Sequence, residues 1–317
     1  MQIERWSGEQ ARAALANPDL DRLAGVAHGV AAVVVDLGDD PGTEIASRLS
    51  ELPVVAIGCG TGPDARWDVA TENPDAVVDG IRAAPHAAVV TAQTLRLTSE
   101  RSLADGLAIE SLAYATLQSG PEFADWLTAR GRRVRKDDSP RVTVEEIDGA
   151  VVVTLDRPKL RNLLDARMRD ELVEVLRALS IADSGPIRLR GAGSAFCAGG
   201  DPAEFGTVTD PATAHLIRSS ANVAPWLASL AGRVTASVHG PCVGAGVELA
   251  AFCHRVEASP DARFRLPETR MGLMPGAGGT VSIPARIGRQ RTLEWLLSDV
   301  EIDADTARGW GLVDEVC

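Results

Sequence analysis

Lysine is almost missing from this sequence. Of 32 basic residues only Lys136 and Lys159 are lysine, and 44 acidic residues leave a formal net charge of -12. Nucleic acid and anionic membrane surfaces are bound through concentrated positive charge, so neither is expected as a partner. Cysteine is sparse as well. Cys59, Cys197, Cys242, Cys253 and Cys317 are odd in number and form no CxxC pair, which fits reduced core thiols better than a disulfide framework or a zinc site. Aromatic residues make up 4% of the chain, and tryptophans such as Trp226, Trp295 and Trp310 are scattered in a way that suits packing better than base stacking. His28, His86, His215, His239 and His254 show no ligand spacing. No apolar stretch is long and uncharged enough to span a bilayer, and "MQIERWSGEQ" lacks the apolar centre of a signal peptide, so a cytoplasmic location is expected.

What is present is a chain of 317 residues, 45% of them hydrophobic, enough for one large core or two ordinary ones. Apolar periodicity stops in "GRRVRKDDSPR", residues 131–141, where charge, Ser and Pro take over. The expected organisation is therefore an N-terminal α/β segment at 1–131, a linker at 132–140 and a second unit at 141–317. In that unit "RVTVEEIDGAVVVTLDRP" alternates around Asp148-Gly149 and predicts a β-hairpin. "DARMRDELVEVLRAL" has helical spacing, and "PIRLRG" is a short strand. A helical region ending near Leu230, a strand "RVTASVHG" and a buried helix "GVELAAF" follow. Strands alternating with helices, with glycine-rich loops at strand ends, mark an α/β fold whose ligands sit at those ends.

Three of those loops carry the chemistry. "GAGSAFCAGGD" lacks the GK[ST] ending of a phosphate loop, its aromatic centre does not suit a dinucleotide fingerprint, and Cys197 has no second cysteine or basic neighbour to activate it. What remains is bare backbone, whose N–H groups can hold an oxyanion. "HGPCVGAGVELAA" again runs from a strand through small residues into a helix, so the N–H of Ala245 points outward with the helix dipole behind it. Glu248 follows in an otherwise apolar run, as either a partnered structural carboxylate or a functional one. "FRLPETRMGLMPGAGGT" sets Glu268 beside Pro267 and a further glycine-rich loop at Gly276. Two carboxylates with two backbone donors suit acid–base work on a carbonyl compound.

At these residues the sequence resembles the crotonase family, the enoyl-CoA hydratases and isomerases. The resemblance runs from Arg141 to Cys317 through "DRPKLRNLL", "GAGSAFCAGGD", "HGPCVGAGVELA", "FRLPETRMGLMPGAGGT" and "ARGWGLVDEV", in the family's order. It implies a crotonase-like ββα superhelix core acting on an acyl-CoA thioester, with coenzyme A as part of the substrate and no separate cofactor or metal. By the same resemblance Gly200 and Ala245 supply the oxyanion hole, Glu248 and Glu268 flank a water, and Gly276 helps to position it. Lys159, Leu160, Arg161, Ala195, Ala198 and Asp201 fall where the family binds coenzyme A or substrate. A homotrimer or dimer of trimers is also implied. Ala245, where the family usually has glycine, and Pro202 depart from the pattern.

Family members continue after "GLVDEV" into a helical tail. Here "LADGLAIESLAYATLQSGPEFADWLTARGR", 103–132, has the tail's apolar spacing and its Glu, Ser and Phe placement, and "AAVVVDLGD" and "LPVVAIGCG" resemble "GPIRLRGAG" and "GRVTASVHG". The expectation is a degenerate crotonase-like half-domain whose helices take the tail's place, with an unrelated α/β domain as the alternative. Two functions stand: enoyl-CoA hydratase, with isomerase or other crotonase chemistry as variants, and a non-catalytic subunit that binds acyl-CoA.

Overall fold

The computed structural model describes residues 1–317 except 18–19, 21–24, 61, 63, 132–138, 183–184 and 231. Most of the linker expected at 132–140 thus lies outside the described residues. Strands β1 (Gln2–Ser7), β2 (Val30–Gly38), β3 (Val55–Gly60) and β4 (Val69–Thr71) pair in sequence order as a four-stranded parallel sheet. Between its strands run α1 (Gly8–Leu15) and α2 (Thr43–Ser50). The near-continuous apolar run of β2 is that of a strand covered on both faces. Ala32 and Val34 enter one hydrophobic cluster, Val33 and Val35 the other. Four helices follow: α3 (Asp75–Ala83), α4 (Pro85–Thr98), α5 (Leu103–Gln118) and α6 (Pro121–Arg130).

The second half opens with the expected hairpin of β5 (Val142–Ile147) and β6 (Ala150–Leu155). Its turn residues Asp148 and Gly149 take φ of 51° and 76°, the left-handed pair of a two-residue hairpin loop. α7 (Ala166–Ile181) leads to β7 (Ile187–Gly191), and α8 (Pro211–Ser220) with α9 (Ala224–Ser229) leads to β8 (Val234–Val238). Then come β9 (Pro241–Val243), α10 (Ala245–Phe252), β10 (Arg255–Ala258) and β11 (Arg263–Arg265). α11 (Gly279–Ile287), α12 (Arg289–Ser298), β12 (Ile302–Asp303), α13 (Ala304–Trp310) and β13 (Glu315–Val316) complete the chain. The six-stranded sheet has the order β13-β10-β8-β7-β6-β5, and β12-β11-β9 form a small third sheet. Both β9 and β11 end where the candidate loops begin. Cys197, Cys242 and Cys253 are free and buried.

The two halves share their apolar interior. Leu293 and Leu297 of α12 pack with Val34, Ile57, Ile81 and Leu95 from the N-terminal half, and Leu273 and Met274 pack with Ala87, Leu117 and Phe123. A buried ion pair fastens the same contact. Asp68, with no exposed surface, accepts from Arg96 Nε at 2.8 Å and from Arg289 Nη1 at 2.9 Å. Burying an aliphatic side chain of this size contributes about 1.5–3 kcal/mol, so exposing Leu273, Met274, Leu293 and Leu297 together would remove most of a typical domain's net stability. Residues 141–317 expressed alone are expected to aggregate or to bind a hydrophobic dye strongly. A monodisperse fragment with the melting temperature of the whole chain would contradict this.

Candidate active site

The first loop, 192–201, is held against the turn that follows β6. Asn162, wholly buried, accepts the N–H of Arg157 at 2.8 Å and donates from Nδ2 to the carbonyls of Ala192 (2.9 Å) and Ala195 (2.8 Å). Leu164 then forms a single parallel bridge with Gly200, giving its N–H to Gly199 O and taking that of Asp201, both at 2.8 Å. In such a bridge the flanking residues make the bonds, which leaves the N–H of Gly200 facing the other way. No described residue accepts it. Asp201 is anchored by Arg157 Nη1 at 3.0 Å, and that guanidinium also reaches Asp165 at 3.2 Å.

The second loop lies beside the first. Cys197 O accepts the N–H of Val243 at 2.9 Å, and Gly244 gives its N–H to Arg265 O at 2.9 Å before α10 starts. Gly244 takes φ 50° and ψ -118°, a backbone that calls for glycine, and a Cβ there would also crowd Glu268 Oε1 at 2.5 Å. The turn leaves the N–H of Ala245, first in the helix, without an acceptor among the described residues. Two donors of this kind at one cavity form an arrangement able to stabilise a developing oxyanion.

Both glutamates are buried at that cavity. Glu248 Oε2 accepts the N–H groups of Ala277 (2.7 Å) and Gly279 (2.8 Å). Burial pushes its carboxyl up to about 7, against the pull of those N–H groups and that of Gly276. Glu268, in the short helical turn after β11, keeps Oε2 buried with no partner among the described residues. Burial first, and the Glu248 carboxylate second, hold its carboxyl well above the usual range. The cavity measures about 330 Å³ and has an apolar side that includes Phe205, Leu249, Met271, Leu273 and Met274. Tyr114 of α5 closes it from the N-terminal half, its ring so near the backbone that a Cβ on Gly276 would lie 2.5 Å from it. Arg218 of α8 sits 4.6 Å over that ring and donates to Gln118 Oε1 at 2.8 Å.

A family model described as Enoyl-CoA hydratase/isomerase matches residues 145–317. The chain belongs to the enoyl-CoA hydratase/isomerase family. Its core has the crotonase-like fold: an enoyl-CoA hydratase from Mycobacterium smegmatis superimposes with TM-score 0.52 at 31% identity, covering 56% of this chain and 70% of that one. A Geobacillus kaustophilus structure titled as an enoyl-CoA hydratase subunit gives TM-score 0.52 at 33% identity over 56% and 68%. Among curated sequences, the enoyl-CoA isomerase/hydratase fer4 of Mycosarcoma maydis is 29% identical over 54% of this chain and 66% of its own length. A probable enoyl-CoA hydratase of Mycobacterium leprae is 33% identical over 52% and 64%. The chain therefore spans somewhat less than two thirds of the length of these two relatives.

Of the residues expected at a hydratase/isomerase site, Ala198, Gly200, Ala245, Glu248, Glu268 and Gly276 line the one cavity. Lys159, Leu160, Arg161, Ala195 and Asp201 do not line it. Arg161 O accepts the N–H of Ala198 at 2.9 Å, so the turn of Lys159 to Arg161 borders the loop, while Ala195 and Asp201 are buried as parts of its support. Glu110, Tyr114, Asn162 and Arg218 were not picked out from the sequence. A lone acid in the apolar run "GLAIESLAYATL", four residues before the chain's only tyrosine and so on the same helix face, was the signal available for the first two.

The raised carboxyl of Glu268 has a consequence for stability. Unfolded, it titrates near 4.5. From there up to its native value the folded state holds a proton that the unfolded state has released, so its contribution to stability falls as pH rises. Glu268→Gln removes that cost. Calorimetry is expected to show a melting temperature above wild type by an amount that grows from pH 5 to pH 8, and a lower one at pH 8 would refute the assignment of a desolvated carboxyl.

Proposed function

We propose that the chain adds water to the double bond of trans-2-enoyl-CoA thioesters, the lyase chemistry of this family. The observation that carries the reading is the pairing of two buried glutamates with two unpartnered backbone donors at one cavity, with Glu268 Oε2 itself lacking any described partner. The thioester oxygen is held between the N–H groups of Gly200 and Ala245. Glu248, ionised, takes a proton from a water held beside the N–H of Gly276, and the water oxygen bonds to the β-carbon. The electron pair of the double bond moves onto the thioester oxygen as an enolate. Donors aimed at that charge contribute about 3 kcal/mol each to lowering the barrier. Glu268, protonated, then delivers its proton to the α-carbon from the same side, so the addition is syn. Afterwards Glu248 carries the proton and Glu268 the charge, and exchange with solvent restores the pair.

The apolar wall of Leu249, Met271, Leu273 and Met274 suits the hydrocarbon part of an acyl chain. Coenzyme A then extends past Ala198 toward the turn of Lys159, Leu160 and Arg161. The N-terminal half we read as a degenerate copy of the core. Supporting this, β1-β2-β3-β4 and β6-β7-β8-β10 are both runs of parallel strands in sequence order, and the segments alike in sequence, on β2 and β7 and on β3 and β8, occupy matching places.

The test is direct. Purified protein mixed with crotonyl-CoA and with a longer trans-2-enoyl-CoA is expected to consume the conjugated enoyl absorbance, whereas an isomerase would act on the 3-enoyl isomer and leave crotonyl-CoA unchanged. Glu268→Gln and Glu248→Gln are each expected to lower kcat by about 100- to 10,000-fold, with acyl-CoA binding retained; wild-type turnover in either would reject its role. Because Glu248 must be ionised and its carboxyl lies near 7, kcat/KM should rise with pH through about 7. A rate independent of pH from 5 to 9 would oppose the assignment.

A further inference from the structure

The four N–H groups from Ala277 to Thr280 are divided between two carboxylates from opposite halves of the chain. Those of Ala277 and Gly279 go to Glu248 Oε2. That of Gly278 goes to Glu110 Oε1 at 2.7 Å, and that of Thr280 to Glu110 Oε2 at 2.8 Å. Thr280 Oγ1 also donates to Glu110 Oε2, at 2.8 Å. Glu110 comes from α5, is 2% exposed, and takes donors on both carboxyl oxygens. The mechanism above gives it no task.

We propose that Glu110 is a positioning residue for the acid–base site: it fixes the 277–280 turn in the shape that aims the Ala277 and Gly279 N–H groups at Glu248, and so favours the ionised form of Glu248. The alternating pattern supports this, since freeing the Gly278 and Thr280 donors would let the turn rotate and misdirect those of Ala277 and Gly279, which pull the Glu248 carboxyl down. Between the two acids, burial and then the Glu248 charge push the Glu110 carboxyl up to about 8, while the Thr280 and Gly278 donors pull it down. Two carboxylates that interact through one turn titrate as a pair. The other ionisable groups acting on them are Glu268 beyond Glu248, Tyr114 on the same helix as Glu110, the Cys197 thiol near Glu248, and Arg218 from α8 as the cation. A purely structural Glu110 would share the bonds but leave the Glu248 proton where it was.

The experiment uses the full chain labelled with 13C-glutamate, with the Glu248 carboxyl resonance assigned by its loss in Glu248→Gln. In Glu110→Gln the Glu248 titration midpoint is expected to rise by about one pH unit, because an amide cannot accept at both positions and the Ala277 and Gly279 donors that favour the ionised form lose their aim. Crotonyl-CoA turnover measured alongside should lose at least about tenfold in kcat, with KM within about twofold and the acidic limb of the pH profile displaced upward. The kinetic arm rests on the proposed hydration; the titration does not. A wild type that fails to turn over crotonyl-CoA, with the midpoint still raised in Glu110→Gln, would sink hydration and support the role of Glu110. A midpoint and limb that stay put in a folded Glu110→Gln overturn the proposal. Should that variant not fold, Thr280→Val removes only the hydroxyl donor and so loosens the hold of Glu110 on the turn. A smaller upward shift of the Glu248 midpoint is then expected, and an unmoved one overturns the proposal equally.

Discussion

An ionised carboxylate buried without hydrogen bonds costs several kcal/mol or gives up its charge, so Glu248 depends on its surroundings to supply donors. Its helix, α10, cannot: every residue from Ala245 to Ala251 is buried and the other side chains there are apolar or absent. The donors come instead from main chain at the start of α11, where unsatisfied N–H groups and the helix dipole coincide. The same short stretch has to satisfy Glu110 as well. That double demand ties α5, α10 and α11 to one another, beside the ion pairs of Asp68 and the shared apolar clusters that fasten the N-terminal half to the core.

Sequence reasoning reaches far where a local rule governs. The hairpin turn at Asp148-Gly149 follows from the left-handed backbone that such a turn requires, and the helix from Ala166 to Ile181 from its periodicity. The loops holding Gly200, Ala245 and Gly276 are legible because small residues at strand ends have few other uses, and each borders the cavity. The two glutamates stand out as charges in apolar runs. What escapes is whatever depends on a distant partner. Asn162 reads as one polar residue in a loop, yet it holds the carbonyls of a segment about thirty positions on. Asp201 is placed with the substrate by its position after two glycines, and the structure spends it on Arg157 instead. Glu110 looks like an ordinary helix acid, since its acceptor role exists only once the 277–280 turn is in place.

The electrostatic character of the cavity follows from the same economy of charge. The chain is acidic overall, and three of its carboxylates, Glu110, Glu248 and Glu268, are buried close enough to influence one another. Arg169 and Arg218 are the cations on the cavity wall; Arg169 is paired with Asp170, and Arg218 is engaged with Ser111, Gln118 and the face of Tyr114. The carboxylates are therefore left to compete for protons and backbone donors, a setting in which proton affinities drift toward neutrality.

The bonds from Gly278 and Thr280 to Glu110 span 168 and 170 positions of the chain. During synthesis the helix carrying Glu110 leaves the ribosome long before its partners are made, at a pace of about 5–20 residues per second. At that pace its partners follow about 10 to 30 seconds later, and until the 277–280 turn is in place the glutamate faces water, where an ionised carboxylate is at ease. Assembly of the cavity is thus a late, long-range event in the life of each molecule, and contacts of this separation are the slow ones to form.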